Sequence, residues 1–444
     1  MNSNLEFRDG STQRWVRLAD LSLGGTRNGL YKPKEFHGSG AKIVNMGELF
    51  AFPRLANEEM KRIGVTQDEL DRFGLQAGDL LFARRSLVAD GAGKCSIVVH
   101  CDAPTVFESS IIRLRPARER VEPEYLFYLF RSSVGDQLLD RIRKRDAVSG
   151  ITGKDLAALE VPLPAKEVQR NVCDLLSTLD NRIDHNQALA ANLEAIARRL
   201  FKSWFVDFDP VRAKAAGEKP SGLADDIATL FPDRFVGSEL GEIPEGWRVG
   251  KISDFSTNVR VGCTPSQFSS EDFFVGLEHF DRRCLTLWNG GSGDAVTSNK
   301  SRFKKGDLLF GKLRPYFHKV AIAPIDGICS TDILVIRCAD KAYQEFMYFS
   351  LFQDDVVQFI SDASGGTRMP RTNWETLAGY DCVVPPKSLF SSFGEIVAPM
   401  IETMMQCVDE NNTLTQLRDL LLPRLISGKI RVKDAESSME ETIA

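Results

Sequence analysis

Short apolar runs separated by Gly, Asn, Asp and Pro fill the first third of the chain. Their spacing predicts strands at Lys42 to Asn45, Leu80 to Ala83, Ser96 to His100 and Ser110 to Leu114. Over Val121 to Leu139 the period lengthens, with Tyr125, Leu126, Leu129, Phe130, Val134 and Leu138 at helical spacing, which predicts one helix. From Lys166 to Phe205 the pattern changes again. Val172, Leu176, Leu179, Ile183, Asn186, Ala190, Leu193, Ala197, Leu200 and Trp204 succeed one another at steps of four and three, with no Gly or Pro between. Such a heptad seam predicts one helix of roughly 60 Å, at 1.5 Å per residue, which exceeds the face of a single domain. Phe208-Asp209-Pro210 predicts its end, and the polar stretch with Gly217, Pro220, Ser221 and Gly222 reads as a linker.

The succession then returns, roughly 225 residues later. Gly78-Asp79-Leu80-Leu81-Phe82 reappears as Gly306-Asp307-Leu308-Leu309-Phe310, and Val161-Pro162-Leu163-Pro164 as Val383-Val384-Pro385-Pro386. Trp15 and the residues to Leu21 have a counterpart in Trp247 to Phe255. Strands are predicted at Leu308 to Gly311, Val320 to Ala323 and Ile333 to Arg337. A second seam runs through Val397, Ile401, Met404, Val408, Asn411, Leu414, Leu421 and Leu425, and a shift of 225 places Asn186 on Asn411. Arg418 interrupts it where Leu193 stood, and Pro399 predicts a kink or the true start of this helix. A repeat this long is no solenoid. It predicts a duplicated domain-plus-helix unit with an approximate internal two-fold axis. The expected segments are a domain at 1–165, a helix at 166–210, a linker at 211–240, a second domain at 241–386, a second helix at 387–430 and an acidic tail at 431–444.

Composition narrows the class. The 444 residues, 43% apolar and 26% charged, are those of an ordinary globular chain of two or three domains. No cationic start with a cleavage site and no run of 18 apolar residues is found, so a cytoplasmic protein is expected. Nine scattered cysteines without a CxxC pair and five separated histidines give no zinc-ligand spacing, and the cysteines read as reduced thiols. The net charge of −5 hides an uneven distribution. Arg113, Arg115, Arg118, Arg120, Arg131, Arg141, Arg143, Lys144 and Arg145 crowd one stretch, and Lys304, Lys305, Lys312, Arg314 and Lys319 crowd the matching region. No GxxxxGK[ST] loop, GxSxG elbow, HExxH or amino-methyltransferase Pro-Pro-aromatic motif is present. The pattern points to a binder that positions chemistry done elsewhere.

In each half the Gly-Asp-Leu-Leu-Phe strand is followed by a Ser/Thr-containing strand (Ser109-Ser110-Ile111; Ser330-Thr331-Asp332). A Tyr/Phe-rich helix, a Ser-Gly turn (Ser149-Gly150; Ser364-Gly365) and a Val-Pro exit into a long helix come next. With this order repeated, the chain resembles, over essentially its whole length, the specificity subunit of type I restriction–modification systems. The resemblance implies an α/β (α+β) fold of two tandem, pseudo-two-fold-related target-recognition domains joined by two long antiparallel coiled-coil helices. Each domain would read one half of a bipartite, asymmetric site in double-stranded DNA. The helices would set the gap and dock two methyltransferase (modification) subunits, which carry S-adenosylmethionine and methylate adenine. A separate restriction/translocase subunit, using ATP and Mg, would cleave. This chain itself would be non-catalytic, without cofactor or membrane contact. It departs from the family at Ser388-Leu389-Phe390-Ser391-Ser392, where an acidic-Gln helix start is usual, and in its acidic tail.

DNA reading needs donors for phosphates and side chains for base edges. The candidates are Arg84, Arg85, Arg143, Lys144, Arg145, Thr152 and Lys154 in the first half, and Lys312, Arg314, Tyr316, Arg368 and Arg371 in the second. The expected helix core is Leu176, Leu179, Ile183, Asn186, Leu193, Met404, Val408, Asn411 and Leu425, with the two asparagines pinning register. The alternatives are a methylation-only or type IIB-like specificity subunit, a coiled-coil scaffold without DNA binding, and a hydrolase.

Overall fold

The computed structural model describes residues 14–87, 91–145, 149–364 and 369–435, and not the side chain of Arg145; of the tail expected at 431–444, residues 436–444 lie outside these. The chain forms two compact units. One holds the described residues up to Asn181 and those from Leu414 on; the other is Arg182–Thr413.

In the first unit the strand order is Ser22–Asn28, Ile111–Pro116, Leu80–Ala83, Cys95–Val98 and Arg54–Leu55, antiparallel except for the last pair. The run Leu-Leu-Phe-Ala is apolar throughout because both faces of its strand are covered. Leu80 and Phe82 enter the core shared with the helices, whereas Leu81 and Ala83 enter a second core with Val44 and Phe107. That second core is closed by a sheet in which His37–Val44 runs parallel to Thr105–Phe107 and antiparallel to Arg62–Ile63. The second unit repeats the plan. Its first sheet has the order Ser256–Asn258, Ile333–Cys338, Leu308–Gly311, Val320–Ile322, and Phe273–Val275 runs parallel to Gly327–Cys329 in its second. Leu308 and Phe310 again face one core and Leu309 the other. Two-stranded ribbons end each repeat, Arg14–Arg17 on Glu160–Leu163 and Arg248–Lys251 on Asp381–Val384.

The predicted strands are all present, with ends shifted by a few residues. Three expectations need correction. Val121 to Leu139 holds two helices, Pro123–Arg131 and Ser133–Asp140. Ser132 between them is extended, and its Oγ accepts the Gly135 N–H, a cap that restarts the helix. The linker carries helices Asp209–Ala215 and Asp225–Thr229, with Val211 and Phe231 buried in the second unit's core. Pro399 is not a helix start, since the C-terminal helix runs unbroken over Lys387–Ile426.

The central helix covers Lys166–Phe205, as its seam predicts. Within the second unit Phe201 packs on Phe393 at 5.9 Å while Asn186 meets Asn411, so the two long helices pair antiparallel. Within the first unit Val172, Leu176 and Leu179 share a core with Leu421, Leu422 and Leu425. Arg418, the break in the second seam, is explained there: its guanidinium reaches Asp180 at 2.9 Å, and Asp180 also accepts from Tyr128 Oη at 2.8 Å. The helices do not pair alone. Their residues in each unit also pack on that unit's domain, as Phe205 does in the second unit against Phe346 at 5.2 Å.

Candidate nucleic-acid interface

The repeated Gly-Asp pair is structural. Gly78 and Gly306 take φ of +95° and +84°, a conformation that side chains resist. The turn points Asp79 and Asp307 inward, where they are 1% and 2% exposed. Asp79 accepts the Gln76 N–H and two bonds of 2.7 Å from Arg115; Asp307 accepts the Lys304 N–H and bonds of 2.6 and 2.7 Å from Arg337. Each carboxylate thus clamps a turn to the neighbouring strand, and its bonds hold the arginine's pKa above the ordinary value.

Immediately after the motif, in each unit, the chain reaches an edge where loops converge. The Arg84 N–H donates to Ser110 O at 2.8 Å, and its carbonyl accepts from Ile151 at 3.0 Å. Lys312 repeats both bonds, to Asp332 O at 2.8 Å and from Thr372 at 3.0 Å. The two repeats therefore align residue by residue at this edge: Arg84 with Lys312, Ser110 with Asp332, and Gly150 with Arg371. Thr152 and Asn373 match as caps of short helices, accepting from Asp155 and Thr376. Lys154 and Glu375 match as the second residues of those helices. Sheet register aligns Asn28 with Arg260, since Thr26 and Asn258 pair with Leu114 and Ile336, which in turn oppose Leu80 and Leu308.

In the first unit the edge assembles cations. Arg85–Ser86, Ser149–Gly150 and Lys144–Arg145 form a three-stranded sheet in which Gly150 stands between Arg85 and Lys144. Directly opposed residues share a face, so two exposed cations flank a position without a side chain. Arg84 is half-buried, reaching Ser109 O at 3.4 Å, and Lys154 is exposed. Two candidates have other tasks. Arg143 is buried, with its guanidinium bound to Ala92 O, Asp136 and Asp140, which corrects its reading as a DNA ligand. The Thr152 hydroxyl caps its helix, so its first role is local. Much of the basic crowd is likewise internal: Arg113 and Arg115 both donate to Gly74 O.

In the second unit Lys312 sits half-buried at the centre, its pKa lowered first by burial and also by Arg371 and Arg260, against a raising effect of Asp332. Arg371 pairs with Asp332, and Arg260 with Glu375 at 3.0 Å. A bridge between Leu313 and Arg371 holds the two segments together. Beyond it the turn Pro315–Phe317 is bracketed by Arg314 and His318, both left-handed at φ 49° and 51°. Tyr316 is 53% exposed at its tip, and the Arg282 guanidinium lies 4.0 Å from the Phe317 ring centroid. His318 beneath is buried, 3.2 Å from Asp354 Oδ1 but not aligned for a hydrogen bond, and burial lowers its pKa. Arg368 lies outside the described residues. Sequence reasoning missed Arg260, Arg282, Asp332 and Glu375; only the strand register relating Arg260 to Asn28 could have found the first.

Of the expected helix core, Leu176, Leu179, Met404, Val408 and Leu425 are buried, and Ile183 and Leu193 are half-buried. Asn186 and Asn411 are buried and bonded to each other at 3.0 Å; Asn186 also donates to Glu410 and Asn411 to Ile183 O. Among the described residues no helix is long and apolar enough to cross a membrane.

Residues 32–195 match the family model described as type I restriction modification DNA specificity domain. Over 407 residues the chain is 27% identical to the type I restriction enzyme HindI specificity subunit of Haemophilus influenzae, covering 80% of this chain and 87% of that protein. It is 24% identical over 328 residues to the MjaIX specificity subunit of Methanocaldococcus jannaschii, covering 71% of each. In fold it is similar to the crystal structure of a type I restriction–modification S subunit from M. genitalium, with a TM-score of 0.55 and 13% identity over 94% of this chain and 97% of the other.

Proposed function

We propose that this chain, a relative of the type I restriction–modification specificity subunits that carries their DNA specificity domain, is the sequence-reading subunit of such a complex. One observation carries the reading. The domain matched at residues 32–195 is built again in the second unit, down to the clamp of Asp79 and Asp307 and the backbone bonds of Arg84 and Lys312. Two copies of one scaffold with different side chains at the same edge suit a two-part DNA site whose halves differ. Arg84, Arg85, Lys144 and Lys154 serve one half; Lys312, Arg314, Tyr316 and Arg371 serve the other. The paired helices set the gap between the half-sites and dock two modification subunits. Those partners carry S-adenosylmethionine, and a translocating subunit carries ATP and Mg. This chain contributes no catalytic group and works in the cytoplasm.

The test is DNA retention by the chain assembled with its modification subunits. Binding to duplex is expected to fall with rising salt, by about one counterion per neutralised phosphate, and one bipartite motif is expected to outcompete random duplex. A scaffold without a DNA role would show neither behaviour.

A further inference from the structure

At four matched positions of the interface edge the first unit carries Asn28, Ser110, Gly150 and Lys154, and the second carries Arg260, Asp332, Arg371 and Glu375. The backbone bonds of the edge repeat; the side-chain chemistry does not. In the second unit the four side chains form two arginine–carboxylate pairs, Arg260 with Glu375 and Arg371 with Asp332, and both arginines lie near enough to Lys312 to lower its pKa. Both arginines remain more than half exposed despite their partners.

A carboxylate is out of place in a surface that only grips phosphates, because it repels the backbone it faces and cancels the cation beside it. Against a base edge it has a use. An arginine held by a carboxylate keeps its planar fork in one orientation, and that fork matches the O6 and N7 acceptors of guanine in the major groove. The acid can also accept from the amino group of the paired cytosine. Resting on the function proposed above, we infer that Arg260 and Arg371, oriented by Glu375 and Asp332, are specificity-determining residues that read G·C pairs in the second half-site. The first unit has no such pair at these positions, so its half-site is read by other groups.

The experiment uses the whole complex carrying Arg260→Ala, Arg371→Ala or Glu375→Gln. Methylated adenines are mapped in cells, and binding to the motif and to random duplex is measured against salt. The expected result is relaxed preference at one or two G·C pairs of one half-site, by about five- to a hundredfold for each arginine. The Glu375→Gln change is expected to be smaller and in the same direction. The other half-site stays fully specified, which also reports that the subunit is folded. Weaker binding to every sequence with a lower salt slope would make the arginines phosphate contacts and overturn the inference while leaving the proposed function standing. Unchanged specificity and affinity would also overturn it. A wild-type complex with no sequence preference would instead overturn the function itself.

Discussion

Asp79 and Asp307 show how far single residues can be read from sequence. Their repetition beside Gly and Leu-Leu-Phe is plain in the chain, but the purpose of the acid is not. Each is an internal clamp whose arginine lies on another strand, in the first unit 36 residues away. The basic crowd misleads for the same reason. Arg115 and Arg143 look like a DNA surface until the fold supplies Asp79, Asp136 and Asp140. Charge is legible in sequence and pairing is not. Truncating a buried, bidentate carboxylate leaves its partner unsatisfied and costs about 3–5 kcal/mol. Asp79→Ala is therefore expected to lower the unfolding free energy by roughly 3 kcal/mol, read from the midpoint shift in urea. A loss below about 1 kcal/mol, the size of a surface pair, would show that the clamp does not hold the sheet.

The long helices were the most legible elements, because a seam kept over many heptads has no competing explanation. Shorter elements depend on local contacts. Ser132 breaks a helix that the apolar period joins, since its hydroxyl caps a new one, and Pro399 fails to break a helix that its type should stop. At one buried polar layer of the seam, Asn186 and Asn411 donate in three bonds, to Asn411 Oδ1, Glu410 and Ile183 O. Replacing one asparagine takes away the bond between them and leaves a buried amide atom of the other without that partner, at a cost of about 1–3 kcal/mol. Asn186→Leu and Asn411→Leu are each expected to destabilise by that amount, and the double variant to recover most of it. Urea unfolding of all four proteins closes the cycle. Additive losses would mean that the two residues are not coupled.

For the whole molecule, the duplication was legible, as was the fold class, because repeated motifs carry order as well as identity. Which residues form the proposed reading edge was only partly legible. Arg84 and Lys312 could be aligned by their place after the strand, whereas Arg260 and Glu375 come together only through the sheet register and a short helix. The central claim is that the two repeats read DNA independently, each through its own edge. Its most direct measurement replaces residues 241–386 with the matching domain of a relative and maps methylated adenines in cells carrying the hybrid. A new sequence is expected in one half of the methylated motif and the original sequence in the other. A motif changed in both halves, or in neither while methylation persists, would contradict it.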